Sequence, residues 1–349
     1  MNSQPQTPDN APPIKSNLHL LWISFLVGIA ITVGIFLYWR SHQPAPSGLS
    51  TKVHLGWLIS GAYGGEALAA EKFGPMEGID ITLQPGGPGL DPLRLVKDGT
   101  FGVASADEVI RVIEKGAPLV IVGVLNEDAP AAFAALLSSG ITNPTNFIGK
   151  RVGILPFGST GLIYQSLLAR QNIKPGQVTE VPISADLRPF ITGSTHDVQP
   201  IYVYDETVSL DAQNIKYSLI LPRDYGVVFK GPVYFTTKDT IKNHPELVQR
   251  FILAAILGWR QALQSPDSAI DALARIAPSI DKKRELEVLK RALPYYGDAK
   301  RKPLTTDVNS WQQMIDDMVK FKVLANPIDP KAFLDMSFVN DTYRDLDRK

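Results

Sequence analysis

Residues able to grip or transform a small molecule recur just after the apolar runs of this 349-residue chain. Trp57 ends one such run and offers a flat face for stacking on a heteroaromatic ring. Ser60 and Tyr63 follow it in a glycine-rich stretch and supply hydroxyls. Ser105 and Asp107 end a second run, where either side chain can cap a helix or meet a ligand amine at the mouth of a cleft. Gly158, Ser159 and Thr160 lie between a run and a helix start, a place where free N–H groups and the helix dipole favour an anion. Tyr202, Tyr204 and Glu206 close a fourth run. Strand alternation puts the two rings on one face, and an ionised Glu206 is a pure hydrogen-bond acceptor. Asp224 and Tyr225 are further candidates. Each of these residues also has a plain structural reading, as core aromatic, helix cap or loop polarity.

The same residues do not assemble a catalytic centre. Gly158-Ser159-Thr160-Gly161 lacks the lysine of a phosphate-binding Walker loop, and Phe157 stands where a nucleophile elbow needs glycine. His19, His42, His54, His196 and His244 have no metal-ligand spacing. A Ser159–His196–Asp205 triad has no supporting flanking sequence. Cysteine is absent, which removes disulfides, thiolate metal sites and cysteine nucleophiles together. No catalytic residue, metal or cofactor is expected. Lys plus Arg equals Asp plus Glu, at 35 each. That balance lacks the basic stripe of a nucleic-acid binder.

The elements that must position these residues alternate between strand and helix. KVHLGWL, IDITLQ, FGVASA and PLVIVGVL read as strands, the last buried on both faces. SGAYGG reads as a loop before the helix EALAAEKF, and DPLRLVKDG as a helix capped by Asp91 and stopped at Gly99. Alternation of this kind implies an α/β lobe with a parallel sheet. A second lobe starts after ALLSSGI, with KRVGILP, the helix GLIYQSLLARQNI, VTEVPIS and VQPIYVY. NIKYSLILP and PVYFTT then lead back to the first lobe. A long helix from Pro245 carries Val248, Ile252, Ala255, Trp259 and Leu263 at helical spacing. Helices at Lys282–Leu293 and Ser310–Phe321 follow. The expected division is lobe I at 52–137 plus 234–349, and lobe II at 138–233.

Before the globular part, residues 18–39 contain no Asp, Glu, Lys or Arg. About 20 apolar residues span a bilayer as a helix, and Trp22, Tyr38 and Trp39 suit its interfaces. A cleavable signal has an apolar core of only about 7–15 residues, so an uncleaved anchor is favoured. Lys15 and Arg40 flank opposite ends and hardly decide its orientation. Residues 1–17 read as a disordered tail and 40–51 as a linker.

An ordered set of motifs completes the reading. It comprises Leu55-Gly56-Trp57, Gly78-Ile79-Asp80, Pro85-Gly86-Gly87-Pro88-Gly89, the stretch Phe101 to Asp107, Gly149 to Gly153, Asp205-Glu206, Asp224 to Val227, and Pro245 to Trp259. In that order the chain resembles the ABC-transporter solute-binding proteins of the thiamine-pyrimidine, riboflavin, sulfonate, taurine and nitrate superfamily. The resemblance runs from Trp57 to about Leu263, roughly 60% of the chain. It implies an α/β, two-lobed periplasmic-binding-protein fold (type II), here behind an N-terminal transmembrane helix, with the ligand in the cleft. It also implies a periplasmic globular part serving ABC permease and ATPase subunits, which with the apolar run at 18–39 makes a single-pass inner-membrane protein the expectation. Asp205 stands where pyrimidine-type members commonly carry Asn. The related enzymes that make the thiamine pyrimidine use a cysteine cluster that this chain lacks, so the enzymatic branch is disfavoured. The expected ligand is a small heteroaromatic metabolite, with or without an anionic group. The alternative is a ligand-sensing or partner-binding module of the same fold without transport.

Overall fold

The computed structural model describes residues 48–87, 90–155, 159–297 and 301–348. The expected membrane helix at 18–39 lies outside these residues, as do the tail and most of the linker. Among the described residues no helix is long and apolar enough to cross a membrane.

The first sheet has the order β2-β1-β3-β10-β4. Its strands are β1 (Leu49–His54), β2 (Ile79–Gln84), β3 (Phe101–Ser105), β4 (Leu119–Val124) and β10 (Pro232–Thr237). β1 and β2 pair in parallel from Leu49↔Ile79 to His54↔Gln84 and bury alternate residues, as half-covered strands do. β3 and β4 are buried along their whole length, which their unbroken apolar runs require. β10 runs antiparallel between them, with Val233 opposite both Ala104 and Val124.

The second sheet has the order β7-β6-β8-β5-β9. It contains β5 (Ala131–Leu136), β6 (Arg151–Ile154), β7 (Thr179–Pro182), β8 (Val198–Tyr202) and β9 (Tyr217–Ile220). β6 is parallel to β7 and β8, while β5 is antiparallel to both β8 and β9. Each sheet thus receives one antiparallel strand directly from a crossover: β5 after residues 125–130, and β10 after residues 221–231. The sheet changes between Val124 and Ala131, so β5 lies across the boundary expected at 137/138. β9 pairs with β5 instead of leading back, and only β10 returns. Leu49 to Thr51, expected in the linker, begin β1.

The helices in chain order are α1 (Gly64–Leu68), α2 (Gly74–Met76), α3 (Pro92–Leu95), α4 (Ala106–Glu114), α5 (Thr160–Arg170), α6 (Arg188–Ile191) and α7 (Glu206–Ala212). They continue with α8 (Lys238–Asn243), α9 (Pro245–Gln264), α10 (Pro266–Ile276), α11 (Lys282–Tyr296), α12 (Trp311–Lys320) and α13 (Ser337–Leu346). The stretch expected as a loop is already helical, because Gly61–Tyr63 form a 3₁₀ turn and Gly64 opens α1. Its glycines serve a close helix crossing. A Cβ at Gly65 would stand 2.2 Å from the Trp259 ring, and one at Gly258 would stand 2.3 Å from the Gly65 carbonyl. α9 then covers the first sheet with Val248, Phe251, Ile252, Ala255 and Trp259 buried, and Phe251 stacks on Phe101 at 4.0 Å. α3 is shorter than expected: Asp91 caps it through the Leu93 N–H, but Val96 is already extended.

The two crossovers run side by side. Ala129 N–H donates to the Phe229 carbonyl (2.8 Å), Gly231 N–H to the Asn126 carbonyl (2.9 Å), and buried Lys230 pairs with Glu127. Both sheets with their helices belong to one compact unit.

Candidate functional site

In open α/β sheets the carboxyl ends of parallel strands, where loops turn into helices, gather the ligand groups. Here the ends of β3 and β8, one from each sheet, meet. The Ser105 Oγ stands 3.2 Å from the Tyr202 hydroxyl, which also lies 3.4 Å from the Ser159 Oγ. Neither serine caps its helix. Ser105 has the extended backbone of an N-cap without the side-chain bond, and Ser159 is itself helical. Their hydroxyls face the tyrosine instead. Burial pushes the Tyr202 phenol up to about 12, with the two serine hydroxyls acting the other way.

Aromatic rings form one wall of this junction. β8 ends at Tyr202, and the Tyr204 ring meets the Tyr202 ring edge to face at 5.8 Å. Tyr204 packs in the same manner on Tyr295 of α11 at 6.0 Å, a second contact between the two halves. Tyr296 stacks on Trp259 at 3.7 Å. Tyr63 and Ser60 are buried, while Trp57 is half-buried against the core. Burial drives the Tyr63 phenol far above its usual range, the Glu66 charge adds to this, and hydrogen bonding to the Trp57 backbone opposes it.

Carboxyl groups form the other wall. Asp107 is fully buried, and no other side chain hydrogen-bonds to it. Its pKa is pushed up to about 8, by burial first and then by the Glu108 charge, against the Arg111 cation one turn on. Glu206 folds back so that its Oε2 accepts the Tyr202 N–H at 2.9 Å; burial, then Asp205, raises it to about 7. Glu66, in the first turn of α1, is also buried. Its Oε1 accepts from the Tyr234 hydroxyl (2.7 Å), which in turn accepts from the Trp259 Nε1–H (3.3 Å). Its Oε2 is unpartnered, and burial raises it to about 7. Thr160, the first residue of α5, is buried with its hydroxyl unpartnered.

Charged pairs then fasten α11 to α7 across the junction. Arg284 holds Asp205 and reaches the Ser209 hydroxyl (3.3 Å), and Arg291 bonds Thr207 (2.7 Å) and Asp211 (2.8 Å). Asp224 is exposed and Tyr225 half-buried on the return crossover. Among the described residues neither hydrogen-bonds to the strand-end cluster. Gly158 lies outside the described residues. The triad possible on paper does not form: His196 is engaged by Thr195 and Gln199 at its two nitrogens, and Asp205 by Arg284. Among the described residues no cluster of His, Asp and Glu has metal-binding geometry.

Residues 72–269, more than half of the chain, match the family described as NMT1/THI5 like. The chain belongs to the NMT1/THI5-like family. A 4-amino-5-hydroxymethyl-2-methylpyrimidine phosphate synthase from Legionella pneumophila is 25% identical over 86% of this chain and 97% of its own length. The riboflavin-binding protein RibY of Chloroflexus aurantiacus is 24% identical over 68% of this chain and 70% of its own. In three dimensions the fold is that of the alkanesulfonate-binding protein SsuA from Xanthomonas axonopodis pv. citri, solved bound to MOPS. The TM-score is 0.61 at 16% identity, covering 83% of this chain and 99% of that one. The NMT1/THI5-like match and these likenesses bear out the solute-binding superfamily that the ordered motifs resemble. They also show that proteins similar to this one include a named synthase beside binding proteins.

Proposed function

We propose that this NMT1/THI5-like chain is an extracytoplasmic solute-binding protein, tethered by residues 18–39, which delivers a small metabolite to an ABC importer. The two sheets with their helices act as lobes, 48–124 plus 232–348 and 131–220, and close by a hinge at the paired crossovers. The observation that carries the reading is the junction of Ser105 with Tyr202, where strand ends of both sheets meet beside the Asp107 and Glu206 carboxyl groups. Trp57, Ser60, Tyr63, Ser105, Asp107, Ser159, Thr160, Tyr202, Tyr204 and Glu206 line the ligand. Its flat ring stacks on the aromatic wall and its N–H groups face the carboxyls. The start of α5, with Gly158, is the place for an anionic substituent. A thermal-shift screen of small metabolites against the globular part tests binding; no stabilising compound would refute it. Protease added to spheroplasts should digest the globular part, and full protection would overturn the location.

The second reading is an enzyme, favoured by the relative from Legionella pneumophila that is named a synthase. Against it stand the absence of cysteine from the chain and the engagement of His196. Recovery of the bound metabolite chemically unchanged after prolonged incubation supports binding alone, whereas a new product supports the enzyme.

A further inference from the structure

Beside the junction the chain buries the Asp107 carboxyl, which meets only the backbone N–H groups of its own helix turn, and the Asn126 amide. Asp107 and Asn126 are both 0% exposed, and no other side chain hydrogen-bonds to either. Asn126 sits on the outgoing crossover, and Gly231 of the return crossover brings it beside the first turn of α4. The Gly231 N–H donates to the Asn126 carbonyl (2.9 Å), while the Gly231 carbonyl accepts from the Ala106 N–H (3.2 Å). A Cβ at Gly231 would lie 2.5 Å from the Asn126 Cβ, so glycine is what permits the approach. Folded proteins leave few buried polar groups unpaired, because each keeps its desolvation cost without a bond in return. Two such side chains, brought to one place by the Gly231 backbone, point to an occupant with N–H donors.

Charge narrows the class. Around Asp107 stand Glu108 on its own helix and the Tyr202 phenol from the second sheet. Arg111, one turn on, makes no hydrogen bond to the Asp107 carboxylate. The nearby cations are committed to carboxylates of the protein: Lys230 to Glu127, Arg284 to Asp205 and Glu285, and Arg291 to Asp211. A cation at this depth can draw the proton from the buried Asp107 carboxyl and pair with the carboxylate left behind, whereas an anion gains nothing there. We infer that the ligand carries a positively charged nitrogen group, an amine or amidinium, that docks on Asp107 with the Asn126 Oδ1 accepting a further N–H. The inference rests on the solute-binding reading above.

The test is native mass spectrometry of the full-length protein in detergent after exposure to a small-molecule extract, followed by calorimetry with whatever compound is captured. The compound should carry a positive nitrogen at neutral pH, and Asp107→Asn should weaken its binding about tenfold or more. Asp107→Ser serves the same purpose where the amide variant does not melt cooperatively. Capture of a compound without a positive nitrogen overturns the inference and leaves the solute-binding reading standing. So does undiminished binding of the cation by a folded Asp107 variant. Capture of nothing overturns both.

Discussion

The Tyr202 hydroxyl, at the end of β8, lies 3.2 Å from the Ser105 Oγ at the end of β3, so a single phenol joins the two sheets. The same oxygen reaches Ser159, which makes Tyr202 the shared partner of two buried serines.

Tyr202→Phe keeps the ring and its edge contact with Tyr204 but removes the oxygen. Each hydrogen bond contributes about 0.5–1.5 kcal/mol, and the serines lose their partner. Urea unfolding should show a loss of about 1–2 kcal/mol. An unchanged midpoint would mean that the phenol bridges nothing in solution.

Stability should also fall as pH rises, because three carboxyls keep their protons in the fold. Asp107 titrates near 8, and Glu66 and Glu206 near 7, each raised first by burial. Unfolded, all three ionise near pH 4. Unfolding therefore releases protons between about pH 4 and pH 8. Their contribution is full below that window, shrinks through it, and is lost above it. His196, lowered mainly by burial, acts in the opposite sense below its ordinary pKa, so the informative comparison is between variants. Asp107→Asn should flatten the fall by up to about 1.4 kcal/mol per pH unit. Parallel curves for variant and wild type would show that Asp107 is ionised in the fold.

Arg284 presents a kinetic case. Its pair with Asp205 is partly exposed, at 35% and 21% for the two side chains. Such pairs add only about 0–1 kcal/mol to stability, and salt screens them. Their position across α11 and α7 matters more. Arg284→Ala should leave the melting temperature within a few degrees while ligand release quickens about three- to tenfold, read by stopped flow. Raised salt should quicken release from wild type and hardly affect the variant. Equal off-rates would remove Arg284 from closure.

How much of this was legible in the chain follows from which interactions are local. The strands IDITLQ and FGVASA, and the helix from Pro245, stand where their periodicity puts them, since one buried face is written in consecutive residues. β5 was hidden: AAFAAL carries four alanines, and its burial comes from neighbours far along the chain. The candidate ligand residues could be picked out because ligands gather at strand ends. Glu66 could not, because helical spacing gives no hint that Tyr234 and Trp259 enclose it. Asn126 and Arg284 depend in the same way on Gly231 and Asp205, partners 105 and 79 residues away.

The proposed pocket itself is tested by two substitutions that spare the fold. The Trp57 backbone is held independently of its ring, since its carbonyl accepts the Gly86 N–H at 2.9 Å. Trp57→Ala should therefore retain the strand end and lose the stacking face. A stacking ring in a desolvated site contributes about 1–3 kcal/mol, or roughly 5- to 150-fold in affinity. Glu206→Gln keeps an oxygen for the Tyr202 N–H, so the turn into α7 should survive. What it loses is a carboxyl that can ionise against the ligand's N–H groups, and hydrogen bonds to charged groups contribute about 1.5–3 kcal/mol. Calorimetry with a compound found by screening should show both variants folded and both weakened, Trp57→Ala through packing and Glu206→Gln through charge. Unchanged affinity in both would place the ligand away from the Ser105–Tyr202 junction. Weakening in Trp57→Ala alone would keep the aromatic wall and remove Glu206 from the ligand's reach, leaving it the backbone contact it already makes.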